Sequence, residues 1–152
     1  MEEQVTERMI IGGAPEHCYE VLTAFEDYPQ WAADIKSVTV DERDTAGNAV
    51  EVTFRAAAFG RSTSYTLHYD YSGAPTDLSW KQVTGDITRR LDGSYKMSPS
   101  GDGGTEIVYN LVVDLKVPLP GFVKRRAEGR IMGTALRELK ARVEGGAAPQ
   151  AS

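Results

Sequence analysis

The sequence predicts an α+β fold: a curved, seven-stranded antiparallel sheet wrapped around one long C-terminal helix, with two short helices after strand 1. Three observations predict it. Between Ile35 and Lys116 apolar and polar residues alternate in six runs separated by turn residues, which is the period of half-buried strands. From Gly121 to Glu144 the period becomes helical, starting after Pro118-Leu119-Pro120 and stopping at Gly145-Gly146. Between the first strand and the second lie two short helical patterns joined by a proline break.

Gln4 to Ile11 reads as the first strand, ended by Gly12-Gly13. Pro15 suits the first turn of a helix whose Cys18, Val21, Leu22 and Phe25 recur on one face. Asp27-Tyr28-Pro29 interrupts it, and Gln30 to Ala33 forms one more turn carrying Trp31. In the strands, Val50, Val52, Phe54 and Ala56 share one face; so do Tyr65, Leu67, Tyr69 and Tyr71. Leu78 and Trp80, then Leu91, Tyr95 and Met97, then Ile107, Tyr109, Leu111, Val113 and Leu115 continue that inward face. Phe59-Gly60-Arg61 and Pro99 to Gly104 are turns. Short turns make neighbours antiparallel, and one-sided alternation leaves one face covered.

The C-terminal helix spans about 36 Å at about 1.5 Å per residue, enough to cross a small domain. Met132, Leu136, Leu139 and Val143 form its apolar stripe, with Gly129 and Gly133 along the edge and Arg125 and Glu128 near the start. One helix does not fill the concave side of such a sheet, and two glycines thin it further. The expectation is a cavity between helix and sheet, greasy inside and polar at its mouth.

Composition narrows the function. With 152 residues, 41% hydrophobic, one domain over residues 1–144 is expected, followed by a disordered polar tail, 145–152. A net charge of -5 argues against a nucleic-acid partner. Cys18 is the only cysteine, and His17 and His68 are far apart, so neither a disulfide framework nor a metal site is expected. No nucleotide-binding glycine loop is present, so no cofactor is expected. The acidic N-terminus and the lack of a long apolar run point to a soluble cytoplasmic protein.

The order of elements, together with Phe25-Glu26-Asp27-Tyr28-Pro29-Gln30-Trp31, Leu91-Asp92-Gly93-Ser94-Tyr95, Gly103-Gly104-Thr105-Glu106-Ile107 and the proline-led last helix, resembles the START-like (SRPBCC, helix-grip) superfamily. Within it, the resemblance is to the polyketide cyclase/dehydrase and lipid-transport group, and coenzyme Q-binding proteins are similar. That resemblance implies a small hydrophobic ligand such as a lipid, quinone or polyketide, held by a carrier or turned over by an aromatase/cyclase or dehydratase.

Residues expected to line the cavity are Phe54, Tyr65, Leu67, Tyr69, Trp80, Tyr95, Tyr109 and Leu111 from the sheet. From the helix they are Arg125, Glu128, Gly129, Met132, Gly133 and Leu136. Buried tyrosine hydroxyls need partners, which suits an oxygen-bearing guest. For catalysis the candidates are Arg125, Glu128 and Tyr95: Arg125 to hold an anionic or carbonyl group, Glu128 to orient it or exchange a proton. The same Arg125–Glu128 spacing also fits a surface ion pair worth about 0–1 kcal/mol. Lys124, Arg126 and Arg130 lie nearby, most of them off the inward stripe; they read as a solvated face, with a basic rim for transient contact with an anionic membrane as the alternative. A protein-interaction module is the third reading, and it requires a large exposed apolar patch. Oligomeric state is not legible.

Overall fold

In the computed structural model, residues 3–58, 61–116 and 120–145 are described. Strand β1 (Glu3–Ile11) is followed by α1 (Pro15–Thr23), a single 3₁₀ turn (Phe25–Asp27) and α2 (Tyr28–Trp31). Then come β2 (Ile35–Arg43), β3 (Ala49–Ala58), β4 (Arg61–Asp70), β5 (Asp77–Gly85), β6 (Thr88–Pro99), β7 (Thr105–Leu115) and α3 (Gly121–Glu144). The turn expected at Phe59-Gly60, the Pro118-Leu119 segment and the tail from residue 146 lie outside the described residues.

The strands form one seven-stranded antiparallel sheet in the order β1-β7-β6-β5-β4-β3-β2. Short hairpins explain the run from β2 to β7. β1 closes onto β7, so β1 and β2 are opposite edges and the α1–α2 segment crosses between them. β7 shows the cleanest alternation, buried at every second residue from Thr105 to Leu115. This is the curved sheet gripping a long helix that the alternation predicts.

Two local expectations are corrected. Pro29 does not break a helix; it sits in the first turn of α2, where its missing N–H costs nothing. The chain bends earlier, at Ala24 (φ -84, ψ 68). Gly145 ends α3 at φ -77, in right-handed rather than left-handed geometry.

Helix α3 lies against β1, α1 and α2. Its C-terminal end docks where β1 meets α1. A side chain at Gly13 would sit 2.5 Å from Val143 Cγ1, so only glycine admits this approach. The Gly12 N–H donates to Glu144 Oε2 at 2.7 Å, and Lys140 Nζ donates to the Ile10 carbonyl at 3.3 Å. Met132, Leu136, Leu139 and Val143 are almost fully buried, in the same core as Ile11, Cys18, Leu22 and Ile107.

Candidate ligand cavity

Register builds the cavity wall. Tyr69 pairs with Trp80, Trp80 with Gly93 and Gly93 with Leu111, which puts these four residues in one row across four strands. Phe54 pairs with Tyr65 on β3 and β4, and Tyr95 with Tyr109 on β6 and β7. Alternation turns all of these to the concave side. Rings fill the rows: Tyr95 and Tyr109 stack at 4.5 Å, Phe54 and Tyr65 at 5.4 Å, and Trp80 lies 5.4 Å from Tyr95.

These residues enclose a chamber of about 180 Å³. All eight sheet residues singled out from the sequence border it: Phe54, Tyr65, Leu67, Tyr69, Trp80, Tyr95, Tyr109 and Leu111. Tyr28, Trp31, Ile35 and Leu91 complete the wall.

The helix side differs from expectation. α3 borders the chamber with Ile131, Thr134, Ala135 and Glu138. At 100° per residue that strip lies about 120° round the helix from the Met132–Leu136 stripe. Met132 and Leu136 are consumed by the core, at 0% and 1% exposure, and are not on the chamber wall. Gly129 and Gly133 do not thin the helix towards the sheet. A side chain at Gly129 would meet nothing within 4 Å, and one at Gly133 would meet only Arg137.

Arg125 and Glu128 are also placed elsewhere. Arg125 is exposed, and its Nη1 lies 3.3 Å from where a Gly121 side chain would begin. Glu128 is buried beneath the helix, 3.4 Å from Lys124 Nζ, which also donates to the Val113 carbonyl at 3.2 Å. That pair pins the start of α3 to β7. The structure therefore does not bring Arg125, Glu128 and Tyr95 to one point; only Tyr95 borders the chamber.

The chamber's polar chemistry comes from rings. The Tyr28 hydroxyl donates to the Leu22 carbonyl at 2.6 Å. Burial pushes the Tyr109 phenol up to about 12, and raises Tyr65, Tyr69 and Tyr95 as well. All four are neutral at physiological pH, hence hydrogen-bond donors and weak acceptors. The indole N–H groups of Trp31 and Trp80 are buried without a hydrogen-bond partner among the described residues. A buried donor left unmade costs about 1–3 kcal/mol.

At one end the chamber joins an open groove of about 750 Å³ between α3 and the β3–β4 end. Asp34, Ile131 and Thr134 border both, and Arg61, Arg126 and Arg130 line the groove. Glu138 Oε2 accepts from the Ala33 N–H at 3.2 Å, holding the α2–β2 connection to α3 beside the opening. Among the described residues no group of acidic, histidine and cysteine side chains is arranged to hold a metal. His17 and His68 pair with Glu20 and Glu51, away from the chamber.

A family model described as polyketide cyclase/dehydrase and lipid transport matches residues 2–144. The chain belongs to this family. Its fold is shared with a START superfamily protein from Mycobacterium smegmatis (23% identity, TM-score 0.87, covering 93% of this chain and 97% of that one). It is also shared with the Zhui aromatase/cyclase from Streptomyces sp. R1128 (13%, 0.82, 95% of both chains). A protein from Thermus thermophilus superposes too, at 20% identity and a TM-score of 0.78, over 96% of this chain and all of that one. No curated protein matches. The family's description, polyketide cyclase/dehydrase and lipid transport, points to small hydrophobic ligands as its members' class of partner. No helix among the described residues is long and apolar enough to cross a membrane.

Proposed function

We propose that this START-like protein binds a small hydrophobic molecule carrying oxygen acceptors, as a carrier or binding protein. The observation that carries the reading is the aromatic chamber with two buried indole N–H donors, Trp31 and Trp80, among its lining residues. The family's description, which includes lipid transport, supports it. A ligand burying about 300 Å² of apolar surface gains about 7 kcal/mol before association costs, so grease alone supports micromolar binding. Bonds from the indoles and phenols then select guests with carbonyl or hydroxyl oxygens.

The test is a fluorescence titration with the neutral probe N-phenyl-1-naphthylamine. Micromolar binding is expected, and Ala135→Trp, which points a large ring into the chamber, abolishes it while the protein remains folded. Absence of binding, or binding indifferent to Ala135→Trp, refutes the proposal. Native mass spectrometry on protein purified from its own host then identifies the retained guest.

A second reading has a specific support. The shared fold of an aromatase/cyclase and the stacked Tyr95–Tyr109 pair on the chamber wall suit a site that polarises a carbonyl. Raised phenols act as acids rather than bases, so a base has to come from Asp34 or Glu138, the carboxylates among the lining residues. In this reading Tyr95→Phe removes turnover of a poly-β-keto thioester and leaves probe binding intact; loss of both together refutes it.

A further inference from the structure

The chamber is too small for a complete ligand. At about 180 Å³ it falls below the roughly 300–1,000 Å³ of ordinary ligand sites. A guest of that size has to continue into the groove, because the two spaces share Asp34, Ile131 and Thr134. There it passes Arg61, Arg126 and Arg130.

The positions of these arginines follow from the fold. Arg126 and Arg130 are four residues apart on α3, on the face beside the cavity strip. Arg61 opens β4 on the facing wall. Among the described residues none of the three has an ion-pair partner, and the only acid lining the groove is Asp34. The rim is thus locally positive on a chain whose net charge is -5. Between them Val123, Ala127 and Ile131 line the same groove, with Val123 and Ile131 at 38% and 44% exposure.

We propose that the ligand is an amphipathic acid. Its apolar body lies in the aromatic chamber, and a single anionic group, carboxylate or phosphate, is held at the mouth by Arg61, Arg126 and Arg130. Guanidinium groups bind both anions with paired, charge-assisted bonds. This rests on the ligand-binding reading above and narrows it from hydrophobic molecules to hydrophobic acids. It also sets orientation: the charged end remains at the solvent side, where the anion keeps part of its hydration.

Two probes sharing one ring system separate this proposal from the reading beneath it. N-Phenyl-1-naphthylamine is neutral; 8-anilinonaphthalene-1-sulfonate carries one anionic group on the same frame. Wild type is expected to bind the sulfonate about tenfold more tightly than the neutral probe, with affinity falling as salt rises. Arg61→Gln/Arg126→Gln/Arg130→Gln is expected to erase that preference and its salt dependence while leaving the neutral probe's affinity unchanged. Circular dichroism and Tm confirm that the variant is folded. If both probes bind equally to wild type, or if the triple variant keeps the preference, the anion site is overturned while the cavity stands. If neither probe binds, the cavity reading itself fails. Sedimentation with phosphatidylglycerol vesicles tells a free acid from a lipid surface. Arginine-dependent vesicle binding without sulfonate preference overturns the proposal in favour of membrane docking.

Discussion

Gly93→Ala is the sharpest test of how the chamber wall is built. Gly93 lies between Trp80 on β5 and Leu111 on β7, in the centre of the sheet. A Cβ there would be 2.6 Å from the Asn110 carbonyl oxygen, 2.6 Å from Trp80 Cζ2 and 3.0 Å from Trp80 Cε2. Carbon atoms rest at about 3.5–4.0 Å, so the methyl overlaps both neighbours by about 1 Å. The carbonyl belongs to a ladder strand and is held by its hydrogen bonds. The indole is left as the mobile partner, and the chamber is the space it moves into.

Overpacking of this kind costs about 1–3 kcal/mol. For a domain of this size that lowers Tm by roughly 2–12 °C. Differential scanning calorimetry measures the loss, and the naphthylamine titration measures the chamber: both stability and probe affinity should fall. Gly101→Ala is the matched control. Gly101 has φ +95 and nothing within 4 Å of a new Cβ. Its cost is backbone strain of about 1–2 kcal/mol, with no effect on the probe. An unchanged Tm in Gly93→Ala, or equal probe loss in both variants, refutes the reasoning.

Three further predictions follow from buried groups. Lys124→Met leaves the buried Glu128 carboxylate with one cation fewer, and is expected to cost about 3–5 kcal/mol in denaturant unfolding; Lys124→Met/Glu128→Met should cost less than the sum of the single changes. Tyr109 has a folded-state value raised from 10.0 to about 12, so its neutral form is favoured by folding. That contribution is complete below pH 10 and is lost as pH rises towards 12, on the order of 3 kcal/mol, and Tyr109→Phe should flatten the alkaline fall in Tm. Cys18 is buried and its thiol is pushed up by burial, so a thiol reagent at neutral pH should modify it only after denaturation; rapid labelling of the native protein would place α1 differently.

Strand faces were legible because alternation is binary. Once Tyr65 points inward, Leu67 and Tyr69 follow, and register then sets Trp80 and Leu111 beside them. The bounds of α3 were equally legible, since Pro120 and Gly145 bracket it. The rotation of α3 was not. Its stripe predicts which residues leave water, and Met132 and Leu136 do so, in the packed core rather than on the chamber wall. Tyr28 and Trp31 were hidden by reading Pro29 as a breaker instead of a helix start. Arg126 and Arg130 were legible as part of a basic rim, but Arg61 carried no such signal; only the approach of the β3–β4 end to α3 brings it to them.

The misplaced helix face has a physical cause that extends beyond these residues. A hydrophobic stripe marks where packing is tightest, and a cavity is where packing is withheld. The wall of a cavity that admits an oxygenated guest needs small or two-natured residues, apolar in body and polar at a tip. Thr134, Ala135 and Glu138 fit that description, and so do the tyrosines and tryptophans opposite. On α3 such residues lie between the greasy stripe and the arginine face. The binding strip of a helix that covers a cavity therefore belongs at the border of its apolar stripe, where the partly exposed Thr134, Ala135 and Glu138 lie.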